Sequence, residues 1–242
     1  MASESHTHQP VLWWKSHSAQ MFMRIARGRF TALTIVVVGL AICSGLIQDK
    51  HLREIIDALA FSALLFFAYR SVGPRVWLTI MVFALPALLG HWSRLGIDLV
   101  PVWLVYASSG LFLASLTMVV LISVLLDEAV SSDTLVGALC VYFLIGATWG
   151  TMYATVEVLS PGSFSVVPTL ATAAHWDGRG AVLPLLQYYS FCTLSTLGLG
   201  DLTPVQPAAR LLTVLEGMTG QIYLAVLIAR LVGIHSAHSS RR

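Results

Sequence analysis

The chain has 242 residues, of which 57% are hydrophobic and only 11% are charged. Soluble globular domains carry about 25% charged residues, so this composition excludes an ordinary soluble protein and predicts a membrane protein. The net charge is only +2 and no basic, aromatic-interleaved patch occurs, so nucleic acid is not an expected partner. Cys43, Cys140 and Cys192 lie in apolar runs without metal-type spacing. We expect them to be small hydrophobic residues outside any disulfide framework.

Six apolar runs predict six transmembrane helices, because a spanning helix needs about 20 apolar residues. The runs are 30–47, 54–70, 76–93, 99–126, 134–156 and 207–234. Pro86 lies within the third run, where it can kink a helix. The fourth run contains no Lys, Arg, Asp or Glu.

A seventh uncharged run, 180–200, is predicted not to span the membrane. It ends in "TLSTLGLGD", residues 193–201, where glycines weaken a helix and irregular backbone leaves carbonyl groups that lipid cannot satisfy. Pro184 suits the first turn of a short helix over 184–194, after which the chain becomes extended. We therefore expect a re-entrant segment that enters the membrane and returns to the same side. The expected fold class is an all-α membrane protein of six transmembrane helices with this segment between helices 5 and 6.

The positions of Lys and Arg predict the orientation of these helices. With the N-terminus inside, nine of these residues fall inside and five outside, so both termini are expected in the cytoplasm and the re-entrant segment enters from outside. The expected location is the cell inner (plasma) membrane, with lipid as the surrounding partner. The expected division is a cytoplasmic segment 1–29, a four-helix transmembrane domain 30–126, a second domain 134–234 and a short cytoplasmic tail 235–242.

The re-entrant segment has the chemistry of a cation site. Irregular backbone at membrane depth is tolerated where it lines a water-filled path, and a row of carbonyls there can replace the hydration shell of a cation. Gly198 and Gly200 can adopt backbone angles that let successive carbonyls point the same way. The short helix would direct the negative end of its dipole toward the cation. Since one chain supplies one wall, several chains must surround the path.

The stretch "TLSTLGLGDLTP", 193–204, resembles the potassium-channel signature T-x-x-T-x-G-Y-G-D. The resemblance extends over about 134–234, which it implies to be a pore domain of outer helix, turret, pore helix, filter and inner helix. It implies a bacterial six-helix channel of the pore-loop superfamily, with four identical chains around the pore, potassium as the permeant ion, no other cofactor and no catalytic site. The resemblance implies a filter formed by Thr196, Leu197, Gly198, Leu199 and Gly200, with K⁺ bound at the first four. The alternative is a glycine-rich contact between helices.

The resemblance also implies roles for residues around the filter. Tyr188 and Tyr189 match the aromatic pair of the pore helix, Asp201 is the acid that follows the filter, and Gly220 matches a hinge glycine of the inner helix. The expected filter support consists of Ser195, Asp201, Tyr188, Tyr189, Glu157 and Glu216.

Three acids in apolar segments are candidates for function. Glu157 either bonds backbone at the top of the inner helix, as the resemblance implies, or is a solvated helix end. Glu216 either lines the cavity or packs behind the pore helix near Cys192 or Ser195, and the second is favoured. Asp57 is either functional or an interfacial acid paired with Arg53 four residues before it.

The sequence favours one alternative function and argues against two others. Leu199 stands where tyrosine is usual, and leucine cannot donate a hydrogen bond to the pore helix, so a nonselective cation channel is the alternative within the same fold. A secondary transporter would need intramembrane polar clusters or a histidine and an acid on facing helices. Asp57 and Glu216 are expected to be isolated, with no matching histidine, because the eight histidines fall at ends and loops. Steep voltage gating needs several charges in the membrane field. The absence of Lys and Arg from 99–126 therefore predicts weak or no intrinsic voltage sensing.

Overall fold

A computed structural model of the chain describes residues 30–46, 50–71, 74–93, 100–127, 131–168 and 182–239. In these ranges the chain forms seven helices and one two-stranded antiparallel sheet. In chain order they are α1 (Thr31–Leu46), α2 (Lys50–Ser71), α3 (Pro74–Ser93), α4 (Val102–Leu126), α5 (Ser132–Leu159), β1 (Phe164–Val166), α6 (Val182–Leu194), β2 (Leu202–Pro204) and α7 (Pro207–Ser239). The predicted N-terminal segment 1–29 and the last three residues of the predicted tail lie outside the described residues.

The helix bounds follow the predicted runs closely. The second helix begins at Lys50, one turn before the predicted start, and the last helix continues to Ser239, so part of the predicted tail is helical. The short helix begins at Val182 and contains Pro184 in its first turn, where the missing N–H costs no helical bond. Pro86 lies inside α3.

Three of the described helices are long and apolar enough to cross a membrane: Val102–Leu126, Ser132–Leu159 and Pro207–Gly233. The helix α1 has only 16 residues, below the length that a spanning helix ordinarily needs. A membrane protein is therefore supported, while the count of six spans stays a prediction.

The helix α5 lies at the centre of the fold. Its most extensive contact is with α4, and it also packs against α1, α6 and α7. The largest core cluster includes Leu33 of α1, Phe112 and Leu116 of α4, and Leu144 of α5, each with no exposed surface. This shared core joins the first four helices to α5.

The beginning of α5 is fixed by side chains at the turn after α4. Ser131 and Thr134 form a reciprocal capping box, which satisfies backbone N–H groups that have no partner within the helix. The Thr134 hydroxyl donates to Asp127 at the end of α4 over 3.0 Å. The N–H of Phe30, just before α1, donates to Asp133 over 3.3 Å. These bonds hold α1, α4 and α5 together at one end of the molecule.

The short helix α6 lies tightly against α5. A Cβ atom built on Gly150 of α5 would lie 2.8 Å from Cγ and 2.9 Å from Cα of Gln187, so only glycine permits this approach. Because α6 is held in this way, the chain that follows it starts from a fixed position.

The sheet holds the other end of that following segment. In β1 and β2, Phe164 pairs with Pro204 and Val166 pairs with Leu202. The N–H of Val167 also donates to the carbonyl of Asp201 over 3.0 Å. Residues 195–201 therefore form a loop between two anchored points, α6 before it and β2 after it.

Candidate functional site

The loop 195–201 begins as a continuation of the last turn of α6. The N–H of Ser195 donates to Phe191, that of Thr196 to Thr193 and that of Leu197 to Cys192, over 3.0, 3.0 and 2.8 Å. These bonds occupy the last carbonyl groups of the helix. The Ser195 hydroxyl donates to the Phe191 carbonyl over 2.6 Å, so its observed role is to cap its own helix.

Backbone handedness alternates along the loop. Thr196, Gly198 and Gly200 have φ of 60°, 55° and 77°. Among the described residues, Thr196 is the sole non-glycine residue with a positive φ, so Leu197 and Leu199 are not in this region. A residue held in such a region costs about 1–3 kcal/mol, and residues of this kind cluster at functional sites. The sequence indicated this freedom at the glycines but not at Thr196.

The apolar side chains of the loop are exposed. Leu197 is 63% and Leu199 is 61% accessible in the single chain. Nothing lies within 4 Å of a Cβ atom built on Gly198 or Gly200. One face of the loop is thus open over its whole length.

The adjacent tyrosines of α6 contact different elements. The Tyr188 hydroxyl donates to Asp201 Oδ2 over 2.5 Å, which links α6 to the residue after the loop. The Tyr189 hydroxyl lies 2.8 Å from the Thr213 hydroxyl of α7, and its ring packs edge-on against Tyr153 and Phe164. Tyr188 therefore links α6 to the end of the loop, and Tyr189 links α6 to α5 and α7.

Glu157 is buried, and it is not a solvated helix end. Its two carboxylate oxygens accept from the N–H groups of Gly162 and Phe164, over 2.8 and 3.1 Å. These donors lie in the turn before β1 and at its start, and not at the top of α7 as the resemblance implied. Glu157 therefore fixes the strand that pairs with β2.

Glu216 has no exposed surface. Its Oε2 accepts from the Tyr153 hydroxyl over 2.6 Å, and its Oε1 is in hydrogen-bond contact with the Ser190 hydroxyl. It therefore packs against α6, which was the favoured alternative, but its contact there is with Ser190 and not with Cys192 or Ser195.

Gly220 lies where α7 crosses the end of α6. A Cβ atom built there would lie 2.8 Å from the Leu194 carbonyl oxygen, so glycine allows the two helices to touch. This close approach is a sufficient structural reason for the glycine, whether or not α7 bends at that residue.

Asp57, which was expected to have no matching histidine, lines a cavity that a histidine also lines. His91 of α3 is buried, and it lines the same cavity as Asp57 of α2, together with Ser109 of α4 and Gln187 of α6. His91 Nε2 lies 3.3 Å from the Ser109 hydroxyl. This could not be predicted from the sequence because His91 falls near a helix end, and its burial depends on how α3 packs against α4.

The loop, α6, β2 and Glu216 lie within one continuous segment that matches a family model, and Glu157 lies just before it. Residues 164–235 match the family model for ion channels. The match begins at β1 and includes α6, the loop, β2 and most of α7, and it supports an ion channel of the pore-loop superfamily. Ion channels are not enzymes, in agreement with the expectation of no catalytic site. No curated protein and no solved structure matches the chain.

Proposed function

We propose that four copies of this chain form a potassium-selective channel that conducts passively through one filter, to which each chain contributes residues 196–200. The observation that carries the proposal is the alternation of backbone handedness along this loop. Alternating left-handed and ordinary residues turn successive peptide groups so that their carbonyls can face one side. A row of carbonyls on an open face is the arrangement that replaces the water shell of K⁺.

The anchors of the loop support this function because a filter must keep its shape when ions leave. The Tyr188–Asp201 bond and the pairing of β1 with β2 hold the loop from both sides. Glu157 holds β1 in turn. In this proposal the Tyr188–Asp201 hydrogen bond links the loop to α6, a link that the Leu199 side chain cannot make because it has no hydroxyl.

Assembly into a tetramer is supported by the apolar surface that the single chain leaves uncovered. In the most apolar 18-residue part of α7 only 11% of the residues are buried, compared with 56% in the corresponding part of α5. Leu211, Met218 and Ile222 lie on one stripe of α7 and are each more than half exposed. We propose that neighbouring chains cover this stripe and the side chains of Leu197 and Leu199.

For the rest of the chain we propose the topology expected from the sequence. In this proposal residues 30–126 form a four-helix domain, residues 134–234 form the pore domain, and Gly220 permits α7 to bend. Both termini are cytoplasmic, and the loop opens to the outside of the plasma membrane. Because α4 contains no Lys or Arg, we expect opening to depend weakly on voltage.

Reversal potentials of purified protein in planar bilayers with opposed potassium and sodium solutions test the selectivity. We expect reversal close to the potassium equilibrium potential for the wild type, and no further shift for Leu199→Tyr. A nonselective cation channel is the second candidate, and the missing hydroxyl at Leu199 favours it. Reversal near zero in the wild type, moving to the potassium potential only in Leu199→Tyr, would establish that candidate.

A further inference from the structure

Glu216 is buried between α5, α6 and α7, where the neighbouring hydroxyl groups have fewer hydrogens than the hydrogen-bond contacts require. The Ser190 hydroxyl lies 2.7 Å from the carbonyl oxygen of Gly146, and it also contacts Oε1 of Glu216. A serine hydroxyl has one hydrogen, and a backbone carbonyl can only accept. Ser190 therefore cannot donate to both oxygens.

The neighbouring hydroxyls do not supply the missing hydrogen. The single hydrogen of Tyr153 serves the contact with Glu216 Oε2. The Thr213 hydroxyl donates to the Ala209 carbonyl over 2.9 Å, so its contact with Tyr189 uses the hydrogen of that tyrosine. With these assignments each of the four hydroxyl hydrogens is used once, and the contact between Ser190 and Glu216 is left without one.

We propose that Glu216 is a proton-binding site in which the carboxyl group stays protonated at neutral pH. Its Oε1–H donates to Ser190, whose own hydrogen goes to the Gly146 carbonyl, while Oε2 accepts from Tyr153. Every contact of the network then has one donor and one acceptor.

The electrostatics of the site favour the same state. Glu216 is fully buried, and none of its contacts in the described part of the chain is an ion pair. The titratable groups that face it are Tyr142 and Tyr153 of α5 and Tyr189 of α6, which carry no positive charge. An ionised carboxylate in such a place lacks compensation, so the neutral form is favoured.

Glu157 offers a matched contrast within the same chain. It is also buried, but both of its oxygens accept hydrogen bonds from backbone N–H groups. The two buried acids therefore differ in their partners, because Glu157 contacts backbone N–H groups whereas Glu216 contacts side-chain hydroxyl groups. Loss of the proton from Glu216 would place an uncompensated charge behind α6, which makes the support of the loop sensitive to alkaline pH.

Infrared spectroscopy of the purified full-length protein tests the protonation directly. At neutral pH, we expect the wild type to show the carbonyl stretch of a protonated carboxyl group and Glu216→Gln to lack it. A difference spectrum that contains only carboxylate bands would overturn the proposal. If Glu216→Gln does not assemble, wild-type protein labelled with ¹³C-carboxyl glutamate is the second test. We expect a ¹³C-shifted carboxylic acid band at neutral pH, and the absence of any such band would refute the proposal.

Thermal unfolding provides a second readout that uses the contrast. Glutamine at position 216 has the donor and acceptor of the neutral acid, so we expect Glu216→Gln to unfold near the wild-type midpoint and to lose the wild-type decrease at alkaline pH. Glu157→Gln would present an amide N–H₂ to a backbone donor and is expected to lower the midpoint clearly at neutral pH. Equal losses in the two variants would contradict the proposal. None of these measurements requires the protein to conduct potassium, so they can fail or succeed independently of the proposed channel function.

Discussion

Tyr188 and Tyr189 allow the tie between α6 and the loop to be tested with a control one residue away. Tyr188→Phe removes only the hydroxyl that donates to Asp201 over 2.5 Å. A hydrogen bond to a charged acceptor contributes about 1.5–3 kcal/mol, and this bond is exposed, so about 1.5 kcal/mol is the reasonable figure. That free energy corresponds to roughly a tenfold change in an equilibrium constant between an intact and a collapsed loop.

Single-channel recordings in symmetrical potassium measure this equilibrium as the fraction of time spent open. We expect Tyr188→Phe to lower the ratio of open to closed time about tenfold. Tyr189→Phe removes a neutral bond to Thr213 of α7 and should leave this ratio nearly unchanged. Equal effects of the two variants, or an effect of Tyr189→Phe alone, would refute the role given to the Tyr188–Asp201 bond.

Two further predictions compare glycines in matched pairs. Gly150→Ala places a Cβ atom 2.9 Å from the Gln187 backbone and should lower the free energy of unfolding by about 1–3 kcal/mol. Gly39→Ala lies in open space within α1 and should raise the free energy of unfolding by up to about 1 kcal/mol. Thermal unfolding measures both changes. Gly198→Ala and Gly162→Ala each put a side chain on a positive-φ residue without a steric clash, at a cost of about 1–2 kcal/mol. Flux measurements in proteoliposomes should show loss of potassium flux only in Gly198→Ala, and similar loss in both would contradict the special role of the loop.

Local chemistry was sufficient to predict the elements of the candidate site. Pro184 indicated where the short helix begins, and the glycines at 198 and 200 indicated where regular structure ends. Both signals act within a few residues, because proline limits the start of a helix and glycine relieves the backbone.

The partners of the buried acids could not be predicted in the same way. Glu216 meets Ser190 and Tyr153, which are 26 and 63 residues distant along the chain, and only the packing of three helices brings them together. Thr196 is left-handed because α6 and β2 fix both ends of the loop, although threonine itself disfavours this conformation. His91 was missed for the same reason, since its burial depends on α4.

The location of ions in the assembled protein tests the central claim most directly. Crystals of the full-length protein grown in rubidium, an anomalous scatterer that substitutes for potassium, would reveal bound ions. We predict a row of rubidium peaks on a fourfold axis, each between carbonyl oxygens of Thr196, Leu197, Gly198 and Leu199 from four chains. A structure in which residues 196–200 face lipid or another helix, with no ion beside their carbonyls, would contradict the account.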